Sequence, residues 1–113
     1  MSSLREKIIA DIDEERDSQD RKWGPQRHPD FEPDYPLVLE REASIKLTNY
    51  AFQNDKGSWS HIFVEEVSEA IEEARLGDVE KLRNELIQVA AVAVAWIEDL
   101  DSRQEPMPTE VPF

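Results

Sequence analysis

Apolar residues recur along this chain at helical spacing, and no stretch alternates as a strand would. Leu4, Ile8 and Ile12 follow one another at intervals of four, so a first helix is predicted from about Ser3 to about Arg21. A second is predicted over Leu37 to Gln53, with Leu39, Ala43, Leu47 and Tyr50 or Ala51 facing inward. The segment "NDKGS" breaks it. A third begins near Ser58 or Ser60, either of which suits an N-cap, and stops at Gly77. Asp78 then caps a fourth that runs to about Arg103. In it Leu82, Leu86, Val89, Ala93, Trp96 and Leu100 alternate spacings of four and three, the seam of a helical bundle.

The prolines agree with this division. All seven fall either in "GPQRHPDFEPDYP", Gly24 to Pro36, or in the tail "EPMPTEVPF", Glu105 to Phe113. The span between them is free of the residue that breaks helices. The expected fold class is therefore all-α: a four-helix bundle-like protomer in one domain over residues 1–104, with a Pro-rich flexible tail over 105–113. The connector after the first helix is longer than a compact domain needs, and ordered loops of that length are often functional.

Gly77-Asp78 is a very short link, so helices three and four are predicted to form an antiparallel hairpin. Glu69 lies eight residues before Gly77 and Glu85 eight after it, while Glu66 and Gln88 lie eleven before and eleven after. At 1.5 Å per residue the two levels are roughly 12 and 16 Å from the turn. At about 100° per residue, Phe63, Val67, Ala70 and Ala74 centre the apolar stripe of the third helix, with Glu66, Glu69 and Glu73 along one flank. Glu65 and Glu72 point toward water. On the fourth helix Glu85 sits beside the Leu82/Val89 seam, and Gln88 continues that flank. Crowded carboxylates in a partly apolar setting repel one another, which raises their pKa values and costs stability. A divalent cation removes the conflict, and Mg²⁺ suits oxygen ligands completed by water and substrate phosphates. The flank acids are thus candidate metal ligands.

Charge narrows the partners. The formal net charge is -13 at pH 7, which repels nucleic acid and anionic membranes alike. There is no cysteine, which rules out disulfides and thiolate metal sites. The N-terminal residues lack a signal-peptide core, and the longest apolar run, Val89 to Ile97, is too short to span a bilayer. A cytoplasmic protein is expected. That same run is apolar all round, which calls for burial on every side and hence for an oligomer with the fourth helix at its centre.

"EEVSE", Glu65 to Glu69, followed by "ELIQ", Glu85 to Gln88, resembles the EExxE…ExxD signature of MazG-like all-α nucleoside triphosphate pyrophosphohydrolases. The upstream "EERDSQDRKWGPQRHPD" and the downstream "QVAAVAVAWIE" look like its small single-domain phage and bacterial members. The resemblance implies a homodimer or homotetramer. It also implies Mg²⁺-dependent hydrolysis, with Mn²⁺ as a possible substitute, between the α- and β-phosphates to give a monophosphate and pyrophosphate. Carried over by position, Glu66, Glu69 and Glu85 match the metal ligands, with Glu66 or Glu69 free to serve as general base. Gln88 stands where the signature has aspartate, so the site offers one carboxylate fewer.

For the substrate phosphates the candidate cations are Arg41 and Lys46, with Lys22 and Arg27 in reserve. Trp23 and Trp59 are candidates to stack a base, although either also suits packing. Two other functions fit the same residues. One is a degenerate relative that binds nucleotides without cleaving them. The other is an acidic DNA mimic or inhibitor-type binding module, whose carboxylates would be spread over exposed surface.

Overall fold

The computed structural model describes residues 3–34 and 39–104, which form four α-helices: α1 (Leu4–Trp23), α2 (Arg41–Gln53), α3 (Trp59–Leu76) and α4 (Val79–Gln104). No strand occurs among the described residues. The 105–113 tail, and Leu37 and Val38 of the expected second helix, lie outside them. The chain divides into two compact units, residues 1–25 with 94–113 and residues 26–93.

In the first unit α1 starts with a reciprocal cap. Ser3 Oγ accepts from the Glu6 amide at 3.1 Å, and the Ser3 amide donates to Glu6 Oε2 at 3.3 Å. Of the expected stripe, Ile8 is buried and Leu4 half-buried, but Ile12 is exposed. Arg5 Nε reaches Glu98 Oε1 of α4 at 3.5 Å, a pair between an exposed guanidinium and a half-buried carboxylate. The helix continues past Arg21, so Trp23 is its last residue and is 61% exposed, with Lys22 Nζ 4.8 Å from its ring centroid.

In the second unit α2 packs on α3 through small side chains. Its start differs from the expected Leu37: Leu39 and Glu40 are non-helical, and Glu40 is the N-cap. The Glu40 carboxylate accepts from the amides of Glu42 at 3.0 Å and Ala43 at 2.7 Å, two donors that a helix start leaves without partners. The inward face also differs. Ala51 is buried as expected, but Ala43, Leu47 and Tyr50 are exposed, and Ser44 and Thr48 are buried instead. The face is turned by one residue, about 100°. The reason is partner chemistry: Thr48 Oγ1 donates to the His61 carbonyl at 3.0 Å, and short side chains allow that approach. On α3, Ser68 is 1% exposed, and its hydroxyl donates to the Glu65 carbonyl at 2.7 Å.

Ser58 caps α3, accepting from the His61 amide at 3.3 Å. Gly77 ends it at φ 76°, where its amide donates to Glu73 and Ala74 carbonyls. Asp78 Oδ1 then accepts from the Lys81 amide at 3.0 Å and opens α4. A Cβ at Gly77 would meet nothing within 4 Å, so the penalty for a side chain there is purely conformational. Gly77→Ala is expected to lower stability by about 1 kcal/mol, and Gly77→Asn by less, because asparagine tolerates the left-handed region. Urea denaturation of the two variants measures both; equal stability of Gly77→Ala and wild type contradicts the expectation.

Candidate metal centre

Three carboxylates meet between α3 and α4. Each of Glu66, Glu69 and Glu85 places an oxygen within 4.8 Å of the others, and all three residues are half-buried. The local sequence explains the convergence. Glu66 and Glu69 are three residues apart on α3 and so share a flank, and the Gly77-Asp78 turn brings Glu85 back to their level.

The electrostatics are those of a crowded acidic site. Burial pushes the Glu69 carboxyl up to about 7, helped by the charges of Glu66 and Glu85, a hydrogen bond with Glu85 and the charge of Glu65. Glu66 is raised for similar reasons: burial first, then Glu85 and Glu65. Oε2 of Glu85 is buried and accepts no hydrogen bond. These facts are compatible. Ionised carboxylates have no proton to donate, so the Glu69–Glu85 contact becomes a hydrogen bond only when Glu69 holds a proton. Otherwise a buried acceptor is left without a donor or cation, which costs free energy.

This set could hold a metal ion: the three oxygen donors lie within 4.8 Å of one another, and one of the three residues has a carboxylate oxygen, Glu85 Oε2, that is buried without a hydrogen bond. Gln88 lies one turn beyond Glu85 on α4 and is exposed.

The other singled-out residues are placed elsewhere. Arg41 lines a cleft with Glu72 and Arg75. At about 100° per residue, Ile71 and Arg75 of that cleft fall on the side of α3 away from Glu66 and Glu69. Lys46 is exposed on α2. Trp59 is the first residue of α3 and half-buried, and Trp23 belongs to the other compact unit. Glu72, expected to point to water, is half-buried and receives two hydrogen bonds from Arg75, at 2.6 and 3.1 Å. The Arg75 partnership was legible as an i, i+3 pair; the Arg41 neighbour was not, since it depends on how α2 docks.

Comparison with protein-family models gives no match. No curated protein matches the chain. No solved structure matches it.

Proposed function

We propose that the protein is a Mg²⁺-dependent nucleotide pyrophosphohydrolase that cleaves a nucleoside triphosphate to a monophosphate and pyrophosphate. The observation that carries the reading is the meeting of Glu66, Glu69 and Glu85 around a buried, unpartnered Glu85 oxygen. The resemblance of "EEVSE" and "ELIQ" to the MazG-like signature supplies the reaction class. An acidic mimic would hold its carboxylates out in water, whereas these three are half-buried.

Glu66, Glu69 and Glu85 would hold the metal, with the Gln88 carbonyl oxygen as a further donor to it or to its water. Bound Mg²⁺ supplies neutralisation of phosphate charge and a lowered pKa for water. Whichever of Glu66 and Glu69 is not engaged accepts the proton of the attacking water. The water oxygen forms the new bond to the α-phosphorus, the bond to the bridging oxygen breaks, and pyrophosphate departs with the electron pair. Trp23 and Trp59 stay the candidates to stack a base. Lys46 stays a candidate phosphate cation, whereas Arg41 lines a cleft away from the three carboxylates.

The deciding experiment incubates the protein with a nucleotide panel and Mg²⁺ and assays pyrophosphate. Release that stops with a chelator is expected. Nucleotide binding without release points to the non-hydrolysing relative, and the absence of both release and binding removes support from the enzyme reading.

Gln88→Asp is expected to lower the Mg²⁺ needed for half activity by roughly tenfold, because an added charge near a cation at intermediate dielectric is worth about 1 kcal/mol or more. A Mg²⁺ titration of turnover checks it, and an unchanged midpoint means that Gln88 points elsewhere.

An assembly of copies belongs to the same proposal. No described side chain of α4 is buried, and Leu86 and Ile87 are 51% and 48% exposed. Among the described residues the largest fully buried side chain is only a serine, Ser68. A second copy covering α4 would supply the missing burial. Light scattering is expected to give a multiple of 13.1 kDa at micromolar concentration; a mass of 13.1 kDa contradicts it.

A further inference from the structure

At the start of α2, a cleft of about 190 Å³ is walled by Phe31, Leu39 and Ile71 and edged by Glu40, Arg41, Glu72 and Arg75. It belongs wholly to the unit of residues 26–93. The four charges balance in number, but their hydrogen-bonding capacity does not. Both oxygens of Glu40 are taken by the amides of Glu42 and Ala43. Both oxygens of Glu72 are taken by Nε and Nη2 of Arg75. Arg41 is near enough to help hold the Glu72 carboxyl below its usual range, after the larger effect of Arg75. Yet among the described residues its guanidinium makes no hydrogen bond and no ion pair within 4.0 Å. The cleft therefore presents one guanidinium with its donors uncommitted, and a second, Arg75, with Nη1 to spare and its orientation set by Glu72.

The two acids consequently act as struts rather than as competitors for a ligand. Two forked donors facing apolar walls recognise a planar or tetrahedral oxyanion attached to a flat apolar body. The volume lies below the ~300 Å³ of drug-sized sites, which limits that body to about one ring. In a chain with net charge -13 the long-range field disfavours anions, so binding here depends on the local pair.

We propose that this cleft is a second ligand site, separate from the acidic centre, for a small organic oxyanion: a phosphate monoester or carboxylate carried on a single ring. The oxyanion bridges Arg41 and Arg75, and the ring lies among Phe31, Leu39 and Ile71. The proposal does not depend on the pyrophosphohydrolase reading, because it uses none of the three metal-centre carboxylates.

The test is a ¹H–¹⁵N NMR titration of the full chain in chelator without Mg²⁺. The probes are phenyl phosphate, benzoate, inorganic phosphate and phenol, each taken to about 10 mM. Saturable shifts at Arg41, Ile71, Glu72 and Arg75 are expected with phenyl phosphate or benzoate, and whichever binds more tightly identifies the oxyanion. Phosphate or phenol alone should bind at least about fivefold more weakly. Arg41→Gln should weaken the organic anion by about fivefold or more, while Glu85→Gln leaves it unchanged. Far-UV circular dichroism confirms that Arg41→Gln stays helical, and Arg41→Lys, which keeps charge but loses the fork, should be intermediate. The proposal is overturned by no saturable shift at these residues, by phosphate or phenol binding as well as the organic anion, or by unaltered binding in Arg41→Gln.

Discussion

Glu85→Gln is expected to lower pyrophosphate release by at least about 100-fold, while the metal-free variant melts at or above the wild-type temperature. The two effects have opposite signs because they concern different states. In the proposed turnover, one of three carboxylates that would hold the metal is lost, and electrostatic groups at a reacting phosphate are commonly worth two or more orders of magnitude. In the metal-free protein, the change removes a charge crowded against Glu66 and Glu69 and gives a buried group without a partner a neutral amide. Glu69→Gln should behave alike. A merely structural acid would show the reverse pattern, with reduced melting and retained turnover. Near wild-type release from either variant removes that residue from the site. Circular dichroism of both keeps loss of fold apart from loss of chemistry.

Stability of the metal-free protein is expected to fall as pH rises from about 5 to about 8, and saturating Mg²⁺ should remove most of that fall. Glu69 binds its proton more tightly in the folded chain, at about 7, than at its ordinary value of 4.5. The stabilisation from that proton is fully present below about 4.5 and is lost as pH passes through about 7. Glu66, also raised, adds in the same direction. Glu72 works in the opposite sense, since Arg75 lowers it, and its contribution changes only below 4.5, outside this window. A shift of this size would be worth about 3 kcal/mol in full burial, and solvent screening of a half-buried group reduces that to about 1–2 kcal/mol. Several degrees of melting temperature follow for a chain of this length. On the proposed reading Mg²⁺ would compete with the proton and bind only the folded site; at ten times its dissociation constant it would add about 1.4 kcal/mol at pH 8. Melting curves in chelator and in Mg²⁺ across this range measure both effects. Glu69→Gln should flatten the chelator profile; a flat profile in the wild type instead contradicts the crowding of the three acids.

The features that were legible in the sequence are those set within a few residues of one another. Ser3 with Glu6, Ser58, Gly77 and Asp78 mark helix ends because a cap satisfies amides or carbonyls one turn away. The meeting of Glu66, Glu69 and Glu85 was legible for a related reason. Helical rise is constant and the link between α3 and α4 is very short, so counting residues from Gly77 gives height, and counting degrees gives side.

The tertiary structure alone decided which face of α2 is covered. Apolar spacing pointed to Leu39, Ala43, Leu47 and Tyr50 or Ala51; Ala51 is buried, but so are Ser44 and Thr48 in place of Ala43 and Leu47, because a hydroxyl that finds the His61 carbonyl loses little on burial and lets the helices close up. The start of α2 shifted for a similar reason, since Glu40 spends its carboxylate on the helix amides. The Arg41, Glu72 and Arg75 cleft and the orphaned Glu85 oxygen were equally invisible beforehand. Each depends on groups from separate helices arriving at one place, and periodicity within a helix says which side a residue occupies but not what will stand opposite it.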